Sequence, residues 1–296
     1  MASKPIVAGT DGSEESLQAV DWAAREAALR GAPLRIVATA GLLPRMRPHT
    51  DETQYETVTD VLVDDRDRAL AVAAERAAKA AAGVLIDTDQ LNGPTAQAVT
   101  ESGSGALMLV LGSRGAAAFT ALLLGSVSRY AASHASSPVM VIRDEPPAPH
   151  GLIGVGVADT ESCRDALTFA LEEASLRHAS LHAIHAWHAP QAELTRAGPV
   201  PTESRAEAAA DAATALGGLL DECRAKYPDV PVSHEVVHGH PAHALTGLSA
   251  RADLVVIGRR PGEPGPGSPG RLPMTTRSAR ADSPASARPG WLCTTS

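Results

Sequence analysis

Residues 107–128 read LMLVLGSRGAAAFTALLLGSVS: an apolar run ending at Gly112, a turn Gly112-Ser113-Arg114-Gly115, nine further residues, then Gly125-Ser126-Val127-Ser128. An apolar run of this length with no polar alternation is the signature of a strand covered on both faces. Two glycine turns around a short loop come after the strand, the second opening a helix expected from about Ser126 to Ala135. Gly112, Gly115 and Gly125 lack a Cβ, so the backbone there can take positive φ and let a ligand approach closely. The unpaired N–H groups and positive dipole end of the helix start suit phosphate oxygens, and the Ser126 hydroxyl adds a donor. The place is also right, because open α/β sheets bind ligands at the carboxyl ends of their strands. Spacing alone leaves a second reading open: two such turns also arise by chance in a glycine-rich chain.

The same order of segments occurs twice, about 147 residues apart. IVAGTDGSEES, an Ala-rich amphipathic stretch from Ser16 to Arg30 and the strand LRIVATA are answered from Leu152 by LIGVGVADTES, a helix from Cys163 to His178 and LHAIHAW. LNGPTAQAV before LMLVLGSRG is answered by VHGHPAHAL before LVVIGRRPG. Strands alternating with helices imply two tandem α/β units, each a doubly wound parallel sheet with right-handed crossovers. We expect the first unit over residues 1–143, a proline-rich linker DEPPAPHG at 144–151, and the second unit over 152–260. Residues 42–60 and 188–204 are polar or Pro-containing and read as loops leading into helices. The last 36 residues hold seven prolines and five glycines without periodicity, so 261–296 is expected to be a disordered tail. That tail begins where the repeat calls for a second glycine loop, so the second unit is expected to lack its last helix and strand.

The formal charge of −8 excludes broad salt-driven nucleic-acid binding, since such a body repels a phosphate backbone. MASKPIVAG has no apolar stretch of signal-peptide length, and no later run reaches about 18 apolar residues, so a cytoplasmic protein without membrane contact is expected. Cys163, Cys223 and Cys293 show no CxxC spacing and read as free thiols. The histidines of HEVVHGHPAH (234–243) lack carboxylate or thiolate partners at helical spacing and read as loop and turn positions rather than metal ligands.

With these residues in hand, the chain resembles the universal stress protein family: Gly112-x2-Gly115-x9-Gly125-Ser126 is similar to that family's ATP-binding pattern, and GTDGSEES and the closing strand SPVMVIR resemble it as well. The resemblance is to a tandem, two-domain, actinobacterial type with a truncated or frame-shifted C-terminal copy. It implies a Rossmann-like fold of the adenine nucleotide alpha hydrolase kind, with ATP, Mg²⁺ accompanying it, as ligand of the first unit. It further implies that Gly9 and Asp11 line the pocket, with Asp11 facing the adenosine, and that Thr39 borders the adenine. Gly112, Ser113, Arg114, Gly115, Ala116, Ala117 and Ala118 would wrap the ribose and phosphates; Gly125, Ser126, Val127 and Ser128 would meet the phosphates. Taken alone, Asp11 is equally readable as a helix cap or turn residue. The second unit departs from the pattern: Asp11 aligns with Ala158, and Gly115 with Pro261, which has no N–H and a fixed φ, so its pocket is expected to be absent.

The resemblance implies a regulator of stress, hypoxia or dormancy. No lysine follows either glycine pair as in GxxxxGK[ST], so a slow ATPase is the most enzymatic reading. Two alternatives stand beside it: an interaction module with no nucleotide, and an adenylating enzyme, whose paired glycines are missing from GTDGSEES. Residues 138–143 would lack an intramolecular partner, and homodimerisation through that apolar edge is expected.

Overall fold

The structure is a computed structural model that describes residues 3–40, 52–115, 124–143, 149–157, 163–187, 202–258 and 291–295. The chain divides into two compact units, one built around Met1–Glu145 and the other around Pro146–Glu263 with the C-terminal residues.

The first unit runs β1 (Ile6–Gly9), α1 (Glu14–Arg30), β2 (Leu34–Thr39), α2 (Glu52–Ala80), β3 (Ile86–Leu91), α3 (Thr95–Ser102), β4 (Met108–Gly112), α4 (Ser126–His134) and β5 (Val139–Ile142). Its strands lie in the order β3-β2-β1-β4-β5, all parallel. The chain moves outward from β1 to β3 on one side and to β4 and β5 on the other, so β1 and β4 flank the switch point where a crevice opens. Every residue of β1, β4 and β5 is buried, as their unbroken apolar runs require, whereas the edge strand β3 (IDTDQL) is polar and half exposed. Local signals set the ends of α1. The Ser13 side chain caps its start by accepting from Ser16 N, Glu14 and Glu15 sit against the positive dipole end, and Gly31 closes it in the left-handed conformation at φ 60°.

The second unit runs β6 (Leu152–Gly156), α5 (Arg164–Leu176), β7 (Ser180–Trp187), α6 (Thr202–Arg224), β8 (Val232–His238), α7 (Pro241–Ser249), β9 (Leu254–Gly258) and β10 (Trp291–Thr295). Its strands are again parallel, in the order β10-β9-β6-β7-β8. The start of this unit is fastened by one carboxylate. Asp253 accepts from His150 N (2.6 Å), Gly151 N (2.8 Å) and Leu152 N (3.3 Å), while its own N–H donates to Leu152 O at 2.8 Å.

One expectation needs correction. Trp291–Thr295 lies in the stretch assigned to a disordered tail, yet it pairs in parallel with β9 from Trp291↔Leu254 to Thr295↔Gly258. WLCTT is the one apolar segment after the proline-rich stretch, and an open strand edge offers it unpaired N–H and C=O groups. Val139, Met140, Val141 and Ile142 of β5 are each no more than 1% exposed. No helix among the described residues is long and apolar enough to cross a membrane.

Candidate functional site

A cleft of about 300 Å³ opens at the carboxyl ends of β1 and β4 in the first unit. Its walls come from the β1–α1 turn (Gly9, Thr10, Asp11, Ser16), the first half of α3 (Thr95, Val99), the β4 end and glycine turn (Leu111, Gly112, Arg114, Gly115), and the start of α4 (Leu124, Gly125, Ser126, Val127, Ser128). The volume sits at the low end of the range for small-molecule sites.

The glycines are there for close packing. A Cβ on Gly112 would lie 2.8 Å from Glu15 O and 2.9 Å from Glu15 C, so the end of β4 can sit against the first turn of α1 only without a side chain. A Cβ on Gly115 would collide with Asp11 Oδ2, and one on Gly9 would lie 2.7 Å from Leu111 Cδ2. Neither Gly112, Gly115 nor Gly125 uses the freedom to take positive φ; Gly12, at φ 80°, does. At Gly125 the backbone is extended (φ −67°, ψ 165°) and a Cβ would meet only ordinary contacts, the nearest 3.5 Å away.

Backbone bonds hold α4 to the sheet. Ser113 N donates to Ile142 O, and Gly125 N donates to Ser113 O, each at 2.7 Å; Ser128 Oγ donates to Gly112 O at 2.6 Å. The first intrahelical bond of α4 is Arg129 N to Gly125 O at 3.0 Å. The amides of Ser126, Val127 and Ser128 therefore precede the helical ladder, and among the described residues they have no acceptor. No side chain caps them. Three donors and a dipole end thus line a cleft whose one described cation is Arg114.

On the facing wall, Asp11 Oδ1 accepts from Ser13 N (3.1 Å) and Ser13 Oγ (2.5 Å). Behind this turn Arg76 of α2 grips α1: its Nη1 and Nη2 donate to the two Glu14 oxygens at 2.9 and 2.8 Å, and its Nε to Asp21 Oδ2 at 2.8 Å. The hydrogen bond from Arg76 holds the Glu14 carboxyl below its ordinary range, although Glu14 itself is exposed.

The sequence pattern of the universal stress protein family matches residues 2–143 and, a second time, residues 151–268. The chain belongs to this family. Among its relatives, Universal stress protein Rv2005c of Mycobacterium tuberculosis H37Rv is 33% identical over 265 residues, covering 86% of each chain. Universal stress protein MT2052 of the CDC 1551 strain is 34% identical over 284 residues, covering 88% of this chain and 87% of that one. The crystal structure of a universal stress protein from Archaeoglobus fulgidus DSM 4304 is 18% identical and shares the fold, with a TM-score of 0.63 over 87% of this chain and 88% of its own.

In this universal stress protein, Gly9, Asp11, Gly112, Arg114, Gly115, Gly125, Ser126, Val127 and Ser128 line one cleft. Two do not line it. Ser113 is 3% exposed and spends its backbone on β5 and Gly125. Thr39 stands one residue behind the wall, donating through Oγ1 to Thr95 Oγ1 at 2.9 Å. Ala116, Ala117 and Ala118 lie outside the described residues. Thr10, Ser16, Thr95 and Val99 also line the cleft without having been singled out. The signal available for Thr95 was PT directly after a strand, a helix start at a carboxyl end; for Val99 there was none, since its place depends on how α3 packs.

In the second unit the helix α7 packs close to β6, as Gly154 and Gly156 permit: Cβ atoms there would lie 2.6 and 2.8 Å from Leu248 Cδ2 and Leu245 Cδ2. Gly258 ends β9, and the position matching Gly115, Pro261, lies outside the described residues.

Proposed function

We propose that the first unit binds ATP in this cleft and that the protein works as a nucleotide-dependent regulator of the stress response. The observation that carries the reading is the set of three amides at the start of α4, without acceptors among the described residues, facing the glycine turn at the end of β4. These donors and Arg114 match a polyphosphate, while Asp11 on the other wall is an acceptor suited to ribose hydroxyls or an exocyclic amine. Val99, Leu111 and Val127 supply apolar surface for a base. Asp11 is the one carboxylate among the described lining residues, so Mg²⁺ carried in with the triphosphate would take its ligands chiefly from phosphate and water. The described walls hold one cation and no lysine, a donor set suited to holding a nucleotide more than to rapid phosphoryl transfer.

Isothermal titration of ATP into the full chain and into Gly115→Val tests the reading. Wild type should give a saturable heat, and the variant, whose side chain enters the space of the Asp11 carboxylate, should lose at least about tenfold in affinity, a cost of about 1.4 kcal/mol. Equal affinities, or no heat from the wild type, would overturn it.

A further inference from the structure

We propose that Thr10 and Ser16 are positioning residues of the cleft: a buried hydroxyl pair that fixes the Asp11–Ser13 turn, and with it the Asp11 carboxylate, opposite Gly115. The inference rests on the nucleotide reading for its effect on affinity, and on geometry alone for its effect on the turn.

Both residues line the cleft and are nearly enclosed, Thr10 at 8% and Ser16 at 4% exposure. Their hydrogen bonds can be accounted for completely. Ser16 Oγ lies 2.9 Å from Ser13 O, a carbonyl that can only accept, so the Ser16 proton goes there. Thr10 Oγ1 lies 3.0 Å from Ser16 Oγ, and with the serine proton committed, Thr10 must be the donor between them. Asp11 N donates to Ser16 Oγ at 3.3 Å, and Gly12 N to Thr10 Oγ1 at 3.1 Å. Ser16 then has its one proton given and both lone pairs occupied. It faces the cleft yet has nothing left to offer a ligand, so its work is to hold the turn.

The turn so held is the one that carries Asp11. Two consecutive amides, those of Asp11 and Gly12, are satisfied by the hydroxyl pair, and Gly12, at φ 80°, turns the chain from Asp11 into α1. Ser13 links the same residues from the other side, donating from N and Oγ to Asp11 Oδ1 while its own Oγ accepts from Ser16 N at 3.4 Å. The second unit shows the contrast. Val157 N donates to Ile184 O at 2.9 Å, as Thr10 N donates to Val37 O at 2.9 Å, which identifies Val157 as the structural counterpart of Thr10. At the same spacing, Cys163 stands where Ser16 does. The hydroxyl pair has been replaced there, and in sequence Asp11 aligns with Ala158, with Asp159 the next residue.

The experiment uses the full chain and the variants Thr10→Val, Thr10→Ser, Ser16→Ala and Asp11→Ala, with two readouts. Amide hydrogen exchange without nucleotide should quicken by about tenfold at Asp11, Gly12 and Ser13 in Thr10→Val and Ser16→Ala, stay near wild type in Thr10→Ser, and be unaltered in the later turns of α1. ATP titration should show about tenfold weaker binding for Thr10→Val and Ser16→Ala, recovery in Thr10→Ser, and no additional loss when Thr10→Val is combined with Asp11→Ala. Unaltered exchange at residues 11–13 in both Thr10→Val and Ser16→Ala would overturn the inference, as would a full loss on adding Thr10→Val to Asp11→Ala. A wild type that binds no ATP but whose variants loosen the turn would sink the nucleotide reading and leave the positioning role supported.

Discussion

The two units share a backbone plan and differ in what they place at its carboxyl-end crevice. In the first, β1 leads into Thr10, Asp11 and a hydroxyl-bonded turn, and β4 ends in a glycine pair against the start of α4. In the second, β6 leads to Val157 and the described start of α5 is Arg164, with Cys163 ahead of it. The cores are alike: each has glycines on its central strand that let a helix approach, and each carries a buried acid–base pair one turn apart near the end of its first helix, Glu26 with Arg30 and Glu173 with Arg177. A duplicated chain can thus keep the interactions that build the sheet and change the polar set at its rim, because the two are made by different residues.

The largest test of that separation removes the shared acid. Glu26 and Glu173 have side chains 2% and 0% exposed, and losing either removes a buried ion-pair partner from its arginine. Glu26→Ala should cost about 3 kcal/mol and Glu173→Ala somewhat less, because Arg177 keeps more solvent contact (23%) than Arg30 (9%). Urea unfolding combined with hydrogen exchange of β1 and β6 separates the two. A negligible cost in one unit alone would break the claim that the pair belongs to the common scaffold.

A smaller test exchanges the helix ends. Gly31 (φ 60°) and His178 (φ 53°) occupy the same left-handed position after α1 and α5, and His178 is the one non-glycine residue with positive φ among the described residues. A Cβ at Gly31 meets nothing within 4 Å, so Gly31→Ala isolates the backbone effect and should cost about 1 kcal/mol. His178→Gly should stabilise the second unit by up to about 1 kcal/mol, read as a shift in urea midpoint without change in slope. A destabilised His178→Gly would mean that the imidazole contributes contacts outweighing its strain.

The smallest concerns pH. His182 is the clearest case. Burial, then the Arg251 guanidinium whose Nη2 is 3.4 Å from its Nε2, hold its pKa below the ordinary histidine value, against an opposing pull from Glu235. A base whose folded pKa is depressed contributes stability above its unfolded pKa of about 6.5 and loses it as pH falls through the folded value. Melting of the second unit should therefore decline from pH 7 towards 5, less steeply in His182→Gln; identical slopes would remove His182 from the account.

The repeat, the parallel strands and the cleft's strand ends were legible because each is written locally: unbroken apolar runs for β1 and β4, and Ser-Glu-Glu then a terminal glycine for α1. The site was half legible. Gly112 and Gly115 were found for a conformational reason, yet they act by admitting Glu15 and Asp11 from roughly a hundred residues away, and no local pattern reports which backbone will arrive. Ser16 looked like any residue of a helix's first turn; its role depends on a threonine just past the end of the preceding strand. WLCTT was read with its proline-rich surroundings, although its own short apolar run, Trp291-Leu292-Cys293, was the better guide.

The fastening of residues 150–152 by Asp253 bears on the order in which the protein is made. Its two sides are about a hundred residues apart, a long-range closure that folding reaches late. On the ribosome, β6 must wait with three amides uncommitted until almost the whole of its unit has emerged. A nascent chain arrested before residue 253 therefore holds a finished first unit beside a second whose opening strand has yet to be secured, and that interval is when chaperone capture or proteolysis would find it.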